Sequence, residues 1–269
     1  MKLCFLLSVV ILIYSSCESQ ELFVFSEPAS NMPKGNLGLR WMNSTMKKIN
    51  ESANVSHSMP ELMYGINNKW MIHTTAFMSN LNKPLDFEGA SFYLKHKFIN
   101  QDDIKKHFRM AGFGRYSFNK SKIHQEEINL IGHNTGYELG INATKLANRV
   151  AISFSVSYMK AINNGQKTLF PKFTTDKAIY STLSVGKLIL PKKYIDYRQT
   201  NINLMCEFLS QNLINDDKKY LDIAPSIQFI FLSKIRLDLA YRKQLYSNMV
   251  RTAPNGFFIR LEYNFYNIY

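Results

Sequence analysis

Past residue 20 the sequence lacks any apolar run approaching the roughly 18 residues that a membrane-spanning helix needs, so a bundle of such helices is excluded. Cysteine is nearly absent. Of Cys4, Cys17 and Cys206, the first two fall in an N-terminal stretch with the character of a leader, which leaves Cys206 alone in the mature chain. No intrachain disulfide, no zinc site built on cysteines and no Cys-x-x-Cys redox pair can then form, and Cys206 is expected to pack as a small apolar side chain. Enzyme signatures are missing as well: there is no Gly-x-Ser-x-Gly, no His-Glu-x-x-His and no Gly-rich phosphate loop. No cofactor is implied. Nor does any stretch after residue 20 sustain a helical period.

Acidic residues are few: 20 Asp and Glu stand against 33 Lys and Arg, a net charge of +13. Nucleic acid is the usual partner for such a balance, but the basic residues are scattered through loops and alternating segments and form no single patch or helix. No nucleic-acid partner is therefore expected. Attraction to lipopolysaccharide or phospholipid head groups accounts for the dispersion. A chain of 269 residues, 46% hydrophobic and 13% aromatic, is neither a disordered segment nor a small stapled scaffold. It holds one or at most two domains, with material for a large core or a closed sheet.

At the N-terminus, Lys2 precedes an apolar stretch from Leu3 to Tyr14, followed by the small residues Ser15, Ser16, Cys17 and Ser19. This is the pattern of a secretory signal peptide, with cleavage after Ser19, so that 1–19 is the leader and 20–269 the mature domain. An uncleaved anchor and lipid attachment at Cys17 are the alternatives.

The decisive pattern is alternation with a period of two. In the last segment Phe257, Ile259, Leu261, Tyr263 and Phe265 share one face, and Arg260, Glu262 and Asn264 share the other. Ahead of it, Ile235, Leu237, Leu239 and Tyr241 oppose Arg236, Asp238, Ala240 and Arg242. Strands are predicted near 36–43, 59–66, 70–79, 87–98, 106–117, 135–145, 150–160, 178–189, 201–211, 219–231, 235–245 and 256–268. About twelve strands is an even number, as single-chain outer-membrane barrels require. Connections after odd strands are mostly long and polar (44–58, 118–134, 161–177, 246–255), and those after even strands mostly tight (67–69, 146–149, 232–234), apart from 190–200. The predicted fold is all-β, an antiparallel transmembrane β-barrel. A soluble sandwich or lipocalin-like barrel would also alternate, but aliphatic residues would dominate its shared core. Here Trp41, Trp70, Phe98, Tyr116, Tyr158, Tyr241, Phe257 and Tyr269 are expected toward strand ends, as interfacial girdles.

The stretch from Phe257 to Tyr269, an alternating strand closed by an aromatic, resembles the carboxyl-terminal strand of Gram-negative outer-membrane β-barrel proteins. Asn267 departs from that pattern, since an aromatic is commoner there. Phe25–Pro33, Gly136–Gly140 and Ala253–Phe257 are similar to exported barrels of the Bacteroidetes type. The resemblance spans nearly the whole mature chain. It implies an outer-membrane location in a Gram-negative bacterium and a partnership with the barrel-assembly machinery through Phe265 and Tyr269; it carries over no catalytic motif.

If polar positions face the interior, the wall collects Arg40, Glu61, His73, Lys95, Lys97, Arg109, Arg115, Glu138, Glu207, Asp222, Arg236, Asp238, Arg242, Arg260 and Glu262. Such a wall suits a narrow pore or solute transporter with a preference for anions, its solute unknown. Alternatively Arg236, Asp238, Arg260 and Glu262 pair into a network that closes the lumen, leaving a structural or adhesive barrel whose long loops bind partners. Met63, Met71 and His73 share the inward parity on adjacent strands, a weak soft-donor set that would make the barrel an accessory to copper handling; methionine as packing filler is the plainer reading. His124, Glu126, Glu127 and His133 lie in a polar connection expected to be a solvated loop.

Overall fold

The computed structural model describes residues 23–47, 54–80, 85–103, 106–165, 168–171, 174–193, 196 and 198–268. Twelve strands run in chain order: β1 (Leu37–Lys47), β2 (Asn54–Gly65), β3 (Trp70–Ser79), β4 (Asp86–Asp103), β5 (Lys106–Asn119) and β6 (Thr135–Ala147), then β7 (Val150–Ile162), β8 (Lys177–Leu190), β9 (Asn201–Leu213), β10 (Lys219–Phe231), β11 (Ile235–Ser247) and β12 (Gly256–Phe265). Each pairs antiparallel with its sequence neighbours. The sheet closes where β1 meets β12, in a register running from Leu37 opposite Phe265 to Met46 opposite Gly256. Closure removes every edge strand, so the backbone amides of all twelve strands face a neighbouring strand, with register shifts on four of the pairings.

Alternation in the chain becomes inside and outside in space, but inverted relative to a water-soluble core. Along β12, Phe257, Ile259, Leu261, Tyr263 and Phe265 are exposed, while Phe258, Arg260, Glu262 and Asn264 are buried. On β11 the same holds for exposed Leu239 against buried Arg236, Asp238, Ala240 and Arg242. Large apolar side chains cover the outer surface, and charged ones are sequestered within it. Water would penalise such an outer surface; hydrocarbon would not.

The start of β1 and the end of β12 lie at one rim, beside the tight connections 148–149 and 232–234; the opposite rim carries mostly longer ones, and 191–200, at the first rim, is the long exception. Three expectations need correction. The 44–58 connection is shorter than predicted, because β1 continues to Lys47 and β2 resumes at Asn54. Trp41 therefore sits within β1, away from its ends, its Nε1 donating to Ser58 Oγ at 2.7 Å. The last strand stops at Phe265, and Tyr269 lies outside the described residues. Trp70 does fall at a strand end, stacked on His96 with ring centres 4.2 Å apart, as does Phe257, whose ring meets Tyr241 at 4.7 Å; Tyr241 itself is midway along β11.

The third correction is the largest. Residues 120–134, between β5 and β6, do not form a solvated loop: Glu126, Glu127, Ile128 and Leu130 are all buried inside the barrel. Ile128 and Leu130 join a cluster with Met159, Leu209, Leu213, Tyr220 and Met249 on the inner wall. A second insert enters from the other rim. Residues 23–36, ahead of β1, form a strap across the interior, with Phe23, Val24 and Ala29 fully covered. Gly65 makes room where the strap leaves: a Cβ there would stand 2.2 Å from the Pro33 carbonyl oxygen, a backbone atom that cannot step aside.

Candidate functional site

Of the fifteen charged or imidazole positions that parity assigned to the lumen, fourteen are buried or partly buried on the inner side: Arg40, Glu61, His73, Lys95, Arg109, Arg115, Glu138, Glu207, Asp222, Arg236, Asp238, Arg242, Arg260 and Glu262. Lys97, beside a register shift in β4, is half-buried. An inward arginine in this setting needs a carboxylate, because an unpaired buried charge costs several kcal/mol. The partners are present. Arg236 and Arg260 both donate to Asp238 Oδ2, at 2.9 and 2.6 Å, and Arg236 also reaches Glu262 at 3.3 Å. Glu262 is shared with Arg40, which in turn bonds Glu61 at 2.8 Å and Glu27 of the strap at 2.7 Å. On the next strands Arg115 pairs with Glu138 at 3.1 Å, and Arg109 with Asp102 at 2.9 Å.

The wall grips the strap by its backbone. Glu207 Oε1 accepts the amides of Val24 (2.7 Å) and Phe25 (3.0 Å), while Oε2 accepts the Ser26 amide (2.9 Å) and the hydroxyls of Ser26 and Ser184. Arg260 donates to the carbonyls of Phe23 and Val24, and Lys95 Nζ to those of Pro28 and Ser30 at 2.8 and 2.7 Å. Asn142 Nδ2 donates to the Glu27 carbonyl at 2.8 Å. A carboxylate facing amides and cations facing carbonyls make a cradle that reads chain direction, to which the Ser26 hydroxyl and the Glu27 carboxylate add side-chain bonds.

The β5–β6 loop is held by charge. Glu127 accepts from Arg251 at 2.7 Å and from Arg242 at 3.2 Å, and both arginines bond Asp222. Burial alone would raise the Glu127 carboxyl; Arg251 and Arg242 more than offset this and hold it at about 2. Gln211 clasps Ile128 from both sides, Nε2 to its carbonyl at 2.8 Å and Oε1 from its amide at 2.9 Å. His133 lies against His57 of β2 with ring centres 4.8 Å apart; burial, the largest influence, lowers its imidazole, so it is neutral at physiological pH.

Between the strap and the loop lies a chamber of about 180 Å³. Among the described residues its charged lining is four arginines, Arg40, Arg115, Arg242 and Arg260, against four glutamates, Glu27, Glu61, Glu127 and Glu138. Tyr93, Phe113, Tyr180 and Tyr220 contribute ring surface. The copper candidates all point inward, with Met63 the cross-strand partner of His73. Met71 Sδ, however, accepts the Met32 amide at 3.2 Å, and the donors gathered around His73 are the oxygens of Glu27 and Glu61, which Arg40 already bonds. That is a hard, neutralised set, unlike the soft one the sequence suggested.

Sequence parity missed both inserts. The strap carries an apolar run, Phe23-Val24-Phe25, ahead of the first strand, and the loop carries Ile128, Leu130 and Ile131 within an otherwise polar connection. Those runs are the signal that could have found them, since apolar clusters in loops seek cover. Of the assembly candidates, Phe265 is exposed at the end of β12 with Tyr263 4.6 Å away, ring to ring; Tyr269 and the leader 1–19 are outside the described residues.

No protein-family model matches the sequence, and no curated protein matches it. Solved structures do match in shape. An outer membrane channel from Pseudomonas putida F1 aligns over 90% of this chain and 100% of its own, with a TM-score of 0.58 and 10% identity. The KdgM porin aligns over 85% of this chain and 99% of its own, with a TM-score of 0.51 and 7% identity. The closed, twelve-stranded antiparallel barrel is thus the fold of outer membrane channels; at such identities the likeness concerns fold alone.

Proposed function

We propose that the protein is an outer-membrane barrel of a Gram-negative bacterium that acts as a narrow pore for small solutes and carries out no catalysis. One observation carries this reading: apolar side chains cover the outside, paired charges line the inside, and a chamber is left between two inserts. A barrel meant only as a scaffold gains nothing from a polar interior with space in it. Fold likeness to two channel proteins supports the same reading. Lipopolysaccharide and phospholipid would surround the apolar belt, meeting the basic residues of exposed rims such as Lys34, Lys69, Lys192 and Lys193. Export by the leader 1–19 and recognition of β12, through Phe265 and Tyr269, by barrel-assembly machinery complete the proposal. Preference for anions gains little from the chamber itself, where four arginines face four glutamates; it would arise at the basic rims.

Reconstitution in planar bilayers tests this. Discrete current steps support a pore, and the reversal potential in a salt gradient reads its ion preference. Electrical silence supports the second reading, a closed barrel with binding loops, which the two inserts inside the lumen favour.

A further inference from the structure

The charges of the chamber satisfy one another, yet four of the residues that line it each hold a buried polar atom without a protein partner. They are His73 Nε2 on β3, the Tyr93 hydroxyl on β4, Asn142 Oδ1 on β6 and Thr182 Oγ1 on β8. Each residue is at most 3% exposed. A buried polar group without a partner costs about 1–3 kcal/mol, so four on residues that line one space call for something that answers them. Their positions are held from behind. Asn142 spends its amide hydrogens on the strap, which leaves the carbonyl oxygen for the chamber. His73 has Nδ1 3.5 Å from Glu61, which leaves Nε2. Tyr93 has its ring packed between His73, Phe113 and Arg115, at 5.0, 5.5 and 5.0 Å, so the hydroxyl is not free to wander.

The remaining capacity is therefore neutral and of both kinds: hydroxyls that donate or accept, an imidazole nitrogen, and an amide oxygen that only accepts. A charged solute would enter a balanced set of ion pairs and leave its own charge unmatched, at the cost of burying it. A hydroxyl-rich solute can both give to Asn142 and take from Tyr93, while its C–H face lies against the rings of Phe113 and Tyr180. We propose that the chamber is a binding site for a small, uncharged, polyhydroxylated solute of monosaccharide size. This deepens the pore reading and rests on it for the route by which the solute arrives.

The test uses the full protein in detergent for calorimetry and in planar bilayers for current, with glucose, glucuronate and glucosamine as probes. Saturable heat with glucose, exceeding that of both charged analogues, is expected. Tyr93→Phe and Thr182→Val each remove one hydroxyl while keeping the packing volume, and should weaken glucose binding about 3- to 10-fold, the value of one net hydrogen bond. Tighter binding of glucuronate or glucosamine overturns the proposal, as does a glucose affinity that neither variant changes. Current steps without saturable heat from any probe leave the pore standing and overturn the site, the chamber then holding water only. Saturable glucose heat with electrical silence does the reverse.

Discussion

Arg251 of the β11–β12 loop and Glu127 of the β5–β6 loop meet inside the barrel, Nε 2.7 Å from Oε2, although they are 124 residues apart. The same guanidinium bonds both oxygens of Asp222 at 2.7 Å and lies 3.8 Å from the centre of the Tyr220 ring. One buried side chain thus ties two surface loops to the wall of β10. Arg251→Ala leaves Glu127 and Asp222 to Arg242 alone, two carboxylates against one guanidinium, and is expected to cost up to about 3–5 kcal/mol, the range for breaking a buried pair. Thermal unfolding in detergent measures it; a midpoint unchanged from wild type would mean that Arg242, Gln211 and the packing of Ile128 and Leu130 suffice to seat the loop. Arg251→Lys should recover only part of the loss, because an ammonium cannot hold both carboxylates as a fork does.

Acid should release the same loop. The Glu127 carboxyl is held at about 2 in the folded protein against an ordinary value of 4.5. It therefore favours the seated loop fully above pH 4.5, and that contribution is lost as pH falls through about 2. Protease cleavage between β5 and β6, or open-channel current, should rise across this window. In Glu127→Gln the rise should be present already at neutral pH and should not steepen on acidification.

The strap has its own latch in Glu207. Glu207→Ala leaves the amides of Val24, Phe25 and Ser26 without an acceptor, each costing about 1–3 kcal/mol while it stays buried, so the strap should leave the lumen. Thiol labelling of Ser26→Cys, in a Cys206→Ser background, reads this directly. Labelling should be slow with Glu207 present and fast with Glu207→Ala; equal rates would show that Arg260, Lys95 and Asn142 suffice.

Outward positions should answer to lipid and not to water. Leu261, 45% exposed halfway along β12, faces away from Arg260 and Glu262. Leu261→Arg is expected to cost about 2–4 kcal/mol in a bilayer if the site is at midplane. Leu261→Asn on the same strand should cost less. Folding into phospholipid vesicles, followed by denaturant titration, separates the two; an arginine accepted without loss would mean that this face is not in hydrocarbon.

Much of the barrel was legible along the chain because a strand turns successive side chains to opposite sides. Arg236, Asp238, Arg260 and Glu262 could be assigned inward from parity alone, and their pairing follows once β11 and β12 are neighbours. Connection lengths separated the two rims for the same local reason. Boundaries were less legible: β1 runs on through Ser44 and Thr45, small polar residues that read as the start of a long connection but continue a ladder against β2 and β12.

What the sequence by itself determined is the cylinder: an even set of alternating strands, apolar without and charged within, in an order that antiparallel neighbours can close. Only the tertiary structure decided what occupies the interior. Strap and loop carry no period, so the apolar runs Phe23-Val24-Phe25 and Ile128-Asn129-Leu130 say that they seek cover but not which wall provides it. Their places depend on partners more than a hundred residues away, Glu207 for one and Arg251 for the other, and these come within reach only after the twelve strands have closed.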